Sequence, residues 1–272
     1  MDGITYRVKE PFLSFIKNLI DSKFANDTTK PIRILDVGCG DGSFCRLLDA
    51  HYHDRVKLTG IDPGDDIAMA IEQSNKGIEF IKDTFMDYAD KVQEGSFDMV
   101  IFTKSLHHCP DEPKITVARA RQLLAPNGLF VAEELWTHII DDDEHSHRWL
   151  FDRVDLLHAT GTMIKENVRK DFVPALNTQL PLEERWRIIL SGCREHTSAA
   201  CKQGILDVFG HENTRITENV AQLREFWTAL GLKDDDSGKA AMTELIQQEA
   251  RAVSSNEIKG IGILFVCVNN KQ

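Results

Sequence analysis

The chain has 272 residues, 42% hydrophobic and 28% charged, a composition that excludes a disordered segment and allows a core of its own. Its 43 acidic residues exceed the 32 lysines and arginines, and the net charge of −11 repels phosphate backbones and anionic lipid heads, so neither nucleic acid nor membrane is expected as a partner. The six cysteines form no CxxC pair, no apolar run nears the roughly 20 residues of a membrane span, and charges at Asp2, Arg7, Lys9 and Glu10 break any signal peptide. A cytoplasmic protein with reduced thiols is expected.

Phe12, Phe15, Ile16, Leu19 and Ile20 recur at three- and four-residue spacing, which predicts a helix with Pro11 in its first turn. A polar connector, Asn26–Pro31, leads into the first strand. From Ile32 to about Val131 short apolar runs alternate with helical text. Strands are expected at Ile32–Val37, Val56–Ile61, Ile78–Ile81, Phe97–Phe102 and Leu129–Glu133, with helices from near Ser43, Ile67 and Lys114. Such alternation implies an α/β fold, a doubly wound and mostly parallel sheet with helices on both faces.

Residues 136–232 turn helical, with almost no strand signal. One helix is expected through Trp149, Leu150, Val154, Leu156 and Leu157, and another through Trp186, Ile189 and Leu190. A third runs through Val220, Leu223, Phe226, Trp227 and Leu230, stopped by Gly231. A helix over Lys239–Ala252 follows, and Ile261–Val268 is an apolar run suited to a buried strand. The expected organisation is an N-terminal helical segment (1–30), a ligand-binding core (31–135), an inserted helical cap (136–232) and a return to the core (233–272).

The sharpest signal is Asp36-Val37-Gly38-Cys39-Gly40-Asp41-Gly42-Ser43, where an apolar strand runs into three alternate glycines and then a helix. Glycine permits the tight turn and lets a ligand lie against the backbone. A dinucleotide loop wants GxGxxG, but Ser43 holds the last glycine position, and Asp36 and Asp41 would face two phosphate charges. An NAD-dependent oxidoreductase is therefore disfavoured, and a cationic ligand without phosphate fits better.

This loop, and the segments that follow it in order from about residue 32 to 134, resemble the class I S-adenosylmethionine-dependent methyltransferases, which are Rossmann-like. The resemblance implies that Asp36 and the loop Gly38, Cys39, Gly40 and Gly42 hold the methionine end of S-adenosyl-L-methionine. Asp62, followed by Pro63, matches the acidic residue that accepts both ribose hydroxyls; read without the resemblance, a carboxylate at that strand end suits a ribose diol or caps the next helix. Asp83, Thr84 and Phe85 resemble the adenine segment, and Thr103 and Lys104 open the loop nearest the sulfonium. Asn127 stands where the family usually has glycine, a mild departure because Asn tolerates a left-handed backbone. The family also has a sixth strand before its antiparallel seventh. Ile261–Val268 suits the seventh, but the text after Gly231 is too acidic to read as the sixth.

His107 and His108 follow the fourth strand, where a neutral imidazole can take a proton from an oxygen or nitrogen acceptor. Either also suits plain packing. Of Glu133 and Glu134, one is expected to meet the acceptor and the other to pair or cap. Asp141–His147 has the residue types of a metal site but no converging third element, so no metal is expected. It reads as a solvated loop feeding a helix at Arg148–Leu157; if that helix forms a lid, His145 or His147 can reach the substrate, with His145 a reserve base. Trp136, Trp149, Trp186 and Trp227 read mostly as core, with one or two left to shape an acceptor pocket. Cys193 and Cys201 read as free thiols. The expected function is methyl transfer to oxygen or nitrogen of a small molecule by a monomer or homodimer. The alternative is a protein of the same fold that binds the cofactor but carries out pericyclic or isomerising chemistry.

Overall fold

The computed structural model describes residues 3–25, 30–73, 77–191 and 196–270; the connector residues 26–29 and Cys193 lie outside them. The helices are α1 (Ile4–Lys23), α2 (Ser43–Tyr52), α3 (Ile67–Glu72), α4 (Phe85–Ala89) and α5 (Pro113–Leu123), then α6 (Glu144–Ala159), α7 (Leu182–Ser191), α8 (Ser198–Phe209), α9 (Arg224–Ala229) and α10 (Asp236–Ser254). The strands are β1 (Ile32–Val37), β2 (Val56–Ile61), β3 (Ile78–Ile81), β4 (Phe97–Thr103) and β5 (Leu124–Leu135), then β6 (Met163–Val168), β7 (Thr214–Val220), β8 (Leu230–Leu232) and β9 (Gly262–Val268). No helix among the described residues is long and apolar enough to cross a membrane.

Seven strands form one sheet in the order β3-β2-β1-β4-β5-β9-β7. The first five are parallel, with β1 set against β2 from Ile32↔Val56 to Val37↔Ile61 and against β4 from Ile34↔Met99 to Val37↔Phe102. Their side chains are apolar on both faces because both faces are covered, and Ile34, Leu35, Val100 and Ile101 are fully buried. The chain steps outward from β1 to β3 and then returns to place β4 beside β1. The carboxyl ends of β1 and β4 therefore flank a switch point, where open α/β sheets bind ligands. The backbone bonds Asn269 N to Gly128 O and Trp136 N to Ile261 O make β9 antiparallel to β5, since one register rises as the other falls.

The missing sixth strand is β7, at the sheet edge and earlier in the chain than Gly231. The text after Gly231 gives only the end of β8, which pairs antiparallel with β6 in a two-stranded ribbon. Three strands thus interrupt a region that reads as helical. Val220 ends β7, and α9 stops at Ala229, before the glycine expected to cap it. Gly231 sits inside β8 with φ 104°, where a Cβ would meet the Ile164 carbonyl at 2.5 Å. Pro11 is not in the first turn of its helix either. The helix begins seven residues earlier because Ile4 and Val8 extend the apolar face of Phe12, and Pro11 only removes one amide from its interior.

The chain divides into two compact units. One, the sheet unit, comprises Pro11–Glu134, Glu195–Thr217 and Leu264–Gln272; the other, the helical unit, comprises Met1–Glu10, Leu135–Arg194 and Glu218–Ile263. Helix α8, read as part of the helical insertion, thus groups with the sheet. The core of the helical unit gathers Trp149, Phe172, Trp186, Phe226 and Trp227, so three of the four tryptophans are core. Beside it, Glu249 on α10 is buried and accepts from the Leu223 amide at 2.6 Å, holding the start of α9.

Burial pushes the Glu249 carboxyl up to about 7 from the ordinary 4.5, against the pull of Arg224 and nearby backbone amides. The native state therefore holds this proton more tightly than the unfolded chain. Its contribution is full below pH 4.5 and lost as pH rises through 7. Denaturant unfolding of wild type and Glu249→Gln should show the wild type losing roughly 2–4 kcal/mol relative to the variant between pH 4.5 and 8. A difference constant across that range would contradict this placement of the proton.

Candidate active site

The glycine loop turns at the carboxyl end of β1 with Gly38, Gly40 and Gly42 all at positive φ. At Gly38 the reason is space as well as turn: a Cβ would lie 2.4 Å from the Ser105 Cβ. Ser105, on the loop after β4, donates its hydroxyl to the Val37 carbonyl at 2.5 Å, and the Gly38 and Cys39 amides donate to the Ile61 carbonyl. Gly40 differs, because its missing Cβ would point into open space. Asp62 ties these turns together, accepting from the Gly40 amide at 2.9 Å and from the Gly64 amide at 2.7 Å. It does not cap α3, which begins after Asp66.

A cavity of about 460 Å³ opens at this switch point. Eight of the twelve residues expected to bind cofactor line it: Gly38, Asp62 and Pro63 on one side, then Asp83, Thr84, Phe85, Thr103 and Lys104. The other four do not. Asp36 is buried and accepts from the Cys45 thiol at 3.3 Å; Cys39 is buried too, and burial with Asp36 and Asp62 nearby pushes its thiol up, so it stays neutral. Gly42 leaves room for Phe80, whose ring a Cβ would meet at 2.5 Å. Gly40 faces open space outside the lining. The Thr84 amide, the stretch expected to face adenine, donates to Asp83 Oδ1 at 3.0 Å, while Lys91 holds Asp83 Oδ2 at 2.6 Å.

His108 lines the cavity, and the His107 ring lies beside it, tilted by 45° with ring centroids 4.0 Å apart. His107 Nδ1 lies 2.5 Å from Oε2 of the fully buried Glu134, whose Oε1 accepts from the Leu106 amide at 3.1 Å. Both glutamates are buried and paired, Glu134 with the imidazole. Glu133 lies 3.6 Å from Lys104 Nζ, and its carbonyl accepts from the Lys104 amide. His145 belongs to the helical unit and is exposed on α6. Two residues carried no signal in the sequence. Ser105 packs on Gly38, and His196 brackets the histidine loop, its amide donating to the His107 carbonyl and its Nε2 meeting the Cys109 carbonyl at 3.0 Å. Among the described residues no group of three metal-ligating side chains converges.

The profile of a family described as methyltransferase domain matches residues 12–165, more than half of the chain. The chain belongs to that family, and its sheet order and glycine loop are those of the class I S-adenosylmethionine-dependent methyltransferase fold. The ubiquinone biosynthesis O-methyltransferase of Saccharophagus degradans is 36% identical over 100 residues, 35% of this chain. That of Idiomarina loihiensis is 27% identical over 164 residues, 59% of this chain. The matches span 40% and 60% of those relatives' own lengths. Among solved structures, the plantazolicin methyltransferase BamL, in complex with a triazolic desmethylPZN analog and SAH, aligns with a TM-score of 0.54 at 15% identity, covering 98% of this chain and 90% of its own. The [4+2]-cyclase SpnF aligns with a TM-score of 0.51 at 15% identity, covering 93% and 79%. At such identities the likeness speaks for the fold.

The residues present fit the family's cofactor, S-adenosylmethionine. Thr103 Oγ1 is buried in the cavity wall with no hydrogen-bond partner, Gly40 leaves its side of the loop clear, and Asp62 keeps lone pairs for a diol after accepting two amides. Asp62→Ala should weaken S-adenosylmethionine binding by roughly 10- to 100-fold, about 1.5–3 kcal/mol for a charged acceptor. Calorimetry showing unchanged affinity would remove Asp62 from the site.

Proposed function

We propose that the protein transfers the methyl group of S-adenosylmethionine to an oxygen or nitrogen nucleophile of a small molecule. When bound, the sulfonium supplies an already activated methyl group. The chain's own residues then have to align the acceptor, exclude water and take up a proton.

The His107–Glu134 pair carries this reading. A buried carboxylate on Nδ1 fixes the tautomer, so Nε2 bears the lone pair of a base. The Leu106 amide holds Glu134 in turn, which makes Glu134 a positioning residue and His107 the proposed base. His108 shapes the cavity wall. The net charge of −11 favours a small acceptor over a polyanion. The relatives' printed activity, O-methyl transfer in ubiquinone biosynthesis, supports a hydroxyl oxygen as the first acceptor class to try.

Transfer of label from S-adenosylmethionine into a panel of phenols, then amines, tests the proposal, with S-adenosylhomocysteine measured as the co-product. With an accepted substrate, His107→Ala should lower turnover by about 10²–10⁴ while cofactor affinity holds. Glu134→Gln should displace the pH–rate profile, which a merely structural residue would not do. A fully active His107→Ala enzyme overturns the base assignment. Cofactor binding without any S-adenosylhomocysteine, even with a fractionated metabolite extract, overturns methyl transfer.

A further inference from the structure

The segment that opens α8 lies in the sheet unit and reaches the loop that carries His107 and His108. That loop is a single 3₁₀ turn, Leu106–His108. The His108 amide closes it on the Ser105 carbonyl at 3.1 Å, and the Cys109 amide on the Leu106 carbonyl at 3.2 Å. Turns of this kind are short and have poor hydrogen-bond geometry. A ring that must meet a carboxylate in one geometry therefore needs bracing from outside the turn.

Glu134 braces the entry, accepting from the Leu106 amide and meeting His107 Nδ1. His196, which is half-buried, braces the exit twice. Its amide donates to the His107 carbonyl at 3.0 Å, and its Nε2 lies 3.0 Å from the Cys109 carbonyl. A carbonyl oxygen only accepts, so Nε2 carries a hydrogen and donates. Peptide units are planar, so a held His107 carbonyl fixes the plane that leaves His107, just as Glu134 fixes the plane that enters Leu106. Between the two holds, the direction in which the His107 side chain leaves the backbone is set.

His196 is itself anchored. It precedes Thr197, whose hydroxyl caps α8 by accepting from the Ala200 amide at 3.2 Å. Helix α8 is seated on α5, the helix that follows the histidine loop. At Gly204 of α8 a Cβ would stand 2.7 Å from the Lys114 amide nitrogen, and Asp207 pairs with Lys114 at 3.1 Å. Cys201, one turn into α8, is fully buried, and burial with the charge of Glu134 nearby pushes its thiol up and keeps it neutral. The same helix thus backs the carboxylate of the pair and holds the loop of the imidazole.

We propose that His196 is a positioning residue for methyl transfer, its amide and its Nε2–H holding the exit of the histidine loop so that His107 keeps its contact with Glu134. The proposal rests on the reading of His107 as the base.

Steady-state kinetics of the full chain with an accepted substrate test it. His196→Ala should lower kcat about 10- to 100-fold, the scale of a small misplacement of a reacting group, and leave S-adenosylmethionine affinity within about twofold. Its pH–rate profile should be displaced, and His196→Gln, whose side-chain amide can donate in place of Nε2, should recover most of the loss. In a His107→Ala background the same alanine should cost less than about threefold, because its effect passes through His107. Unchanged turnover in His196→Ala, or an equal loss with and without His107, overturns the proposal. A fully active His107→Ala enzyme overturns the base reading alone. The hold on the pair is then read from the proton resonance of His107 Nδ1–H, which His196→Ala must displace; an unmoved resonance overturns the proposal. Should His196→Ala fail to fold, the histidine ¹⁵N spectrum of the wild type decides: His196 Nε2 must carry a hydrogen, and a bare Nε2 overturns the proposal.

Discussion

The loops that leave β1 and β4 come so close that only a hydrogen fits on Gly38 where Ser105 packs against it. The rest of the site depends on this approach. It lets the Ser105 hydroxyl reach the Val37 carbonyl, while the amides of Gly38 and Cys39 close onto the end of β2 at Ile61. Asp62 then joins the glycine loop to the loop after β2 through two backbone amides. Three strand ends are held in one register by groups that belong to the backbone or touch it. The loop bearing His107 and His108 inherits that register, because it starts at Ser105 and is held again by Glu134 from the end of β5.

The parallel half of the sheet was legible because its strands are buried on both faces and spell continuous apolar runs between turns. Edge strands lack that signature. β7 reads Thr-Arg-Ile-Thr-Glu-Asn-Val and β6 reads Met-Ile-Lys-Glu-Asn-Val, with side chains mostly half-buried or exposed, so neither shows a core-facing period. The apparent helix from Val220 to Leu230 has another cause. Its apolar residues fall at helical spacing, yet they come from the end of a strand, one short helix and the start of another strand. Asn127 is the opposite case: its chemistry predicted a tolerated left-handed turn, and its φ is 61°.

The glycine loop and the acids of the candidate site could be found locally, because turn chemistry and strand ends have local signatures. Partnerships could not. The sequence shows His107 and Glu134 as candidates, but only the β4–β5 pairing brings them within 2.5 Å. Asp36, which the resemblance assigns to the methionine end of the cofactor, is buried at the end of β1 beside Cys45 and does not line the cavity. Burial also divides the two histidines of the 145–147 stretch, leaving His145 in solvent and enclosing His147, whose pKa it lowers. Spacing alone cannot say which of two residues on one helix turn faces a core; that depends on what the rest of the chain packs against it.

The switch point between β1 and β4 is the proposed seat of S-adenosylmethionine in this chain. Amide hydrogen exchange with and without saturating S-adenosylmethionine tests it most directly. Exchange should slow in the Gly38–Gly42, Asp62–Gly64 and Thr103–His108 segments, with residues 141–155 unchanged. Binding detected by calorimetry without protection in those three segments, or with protection confined to 141–155, would contradict it.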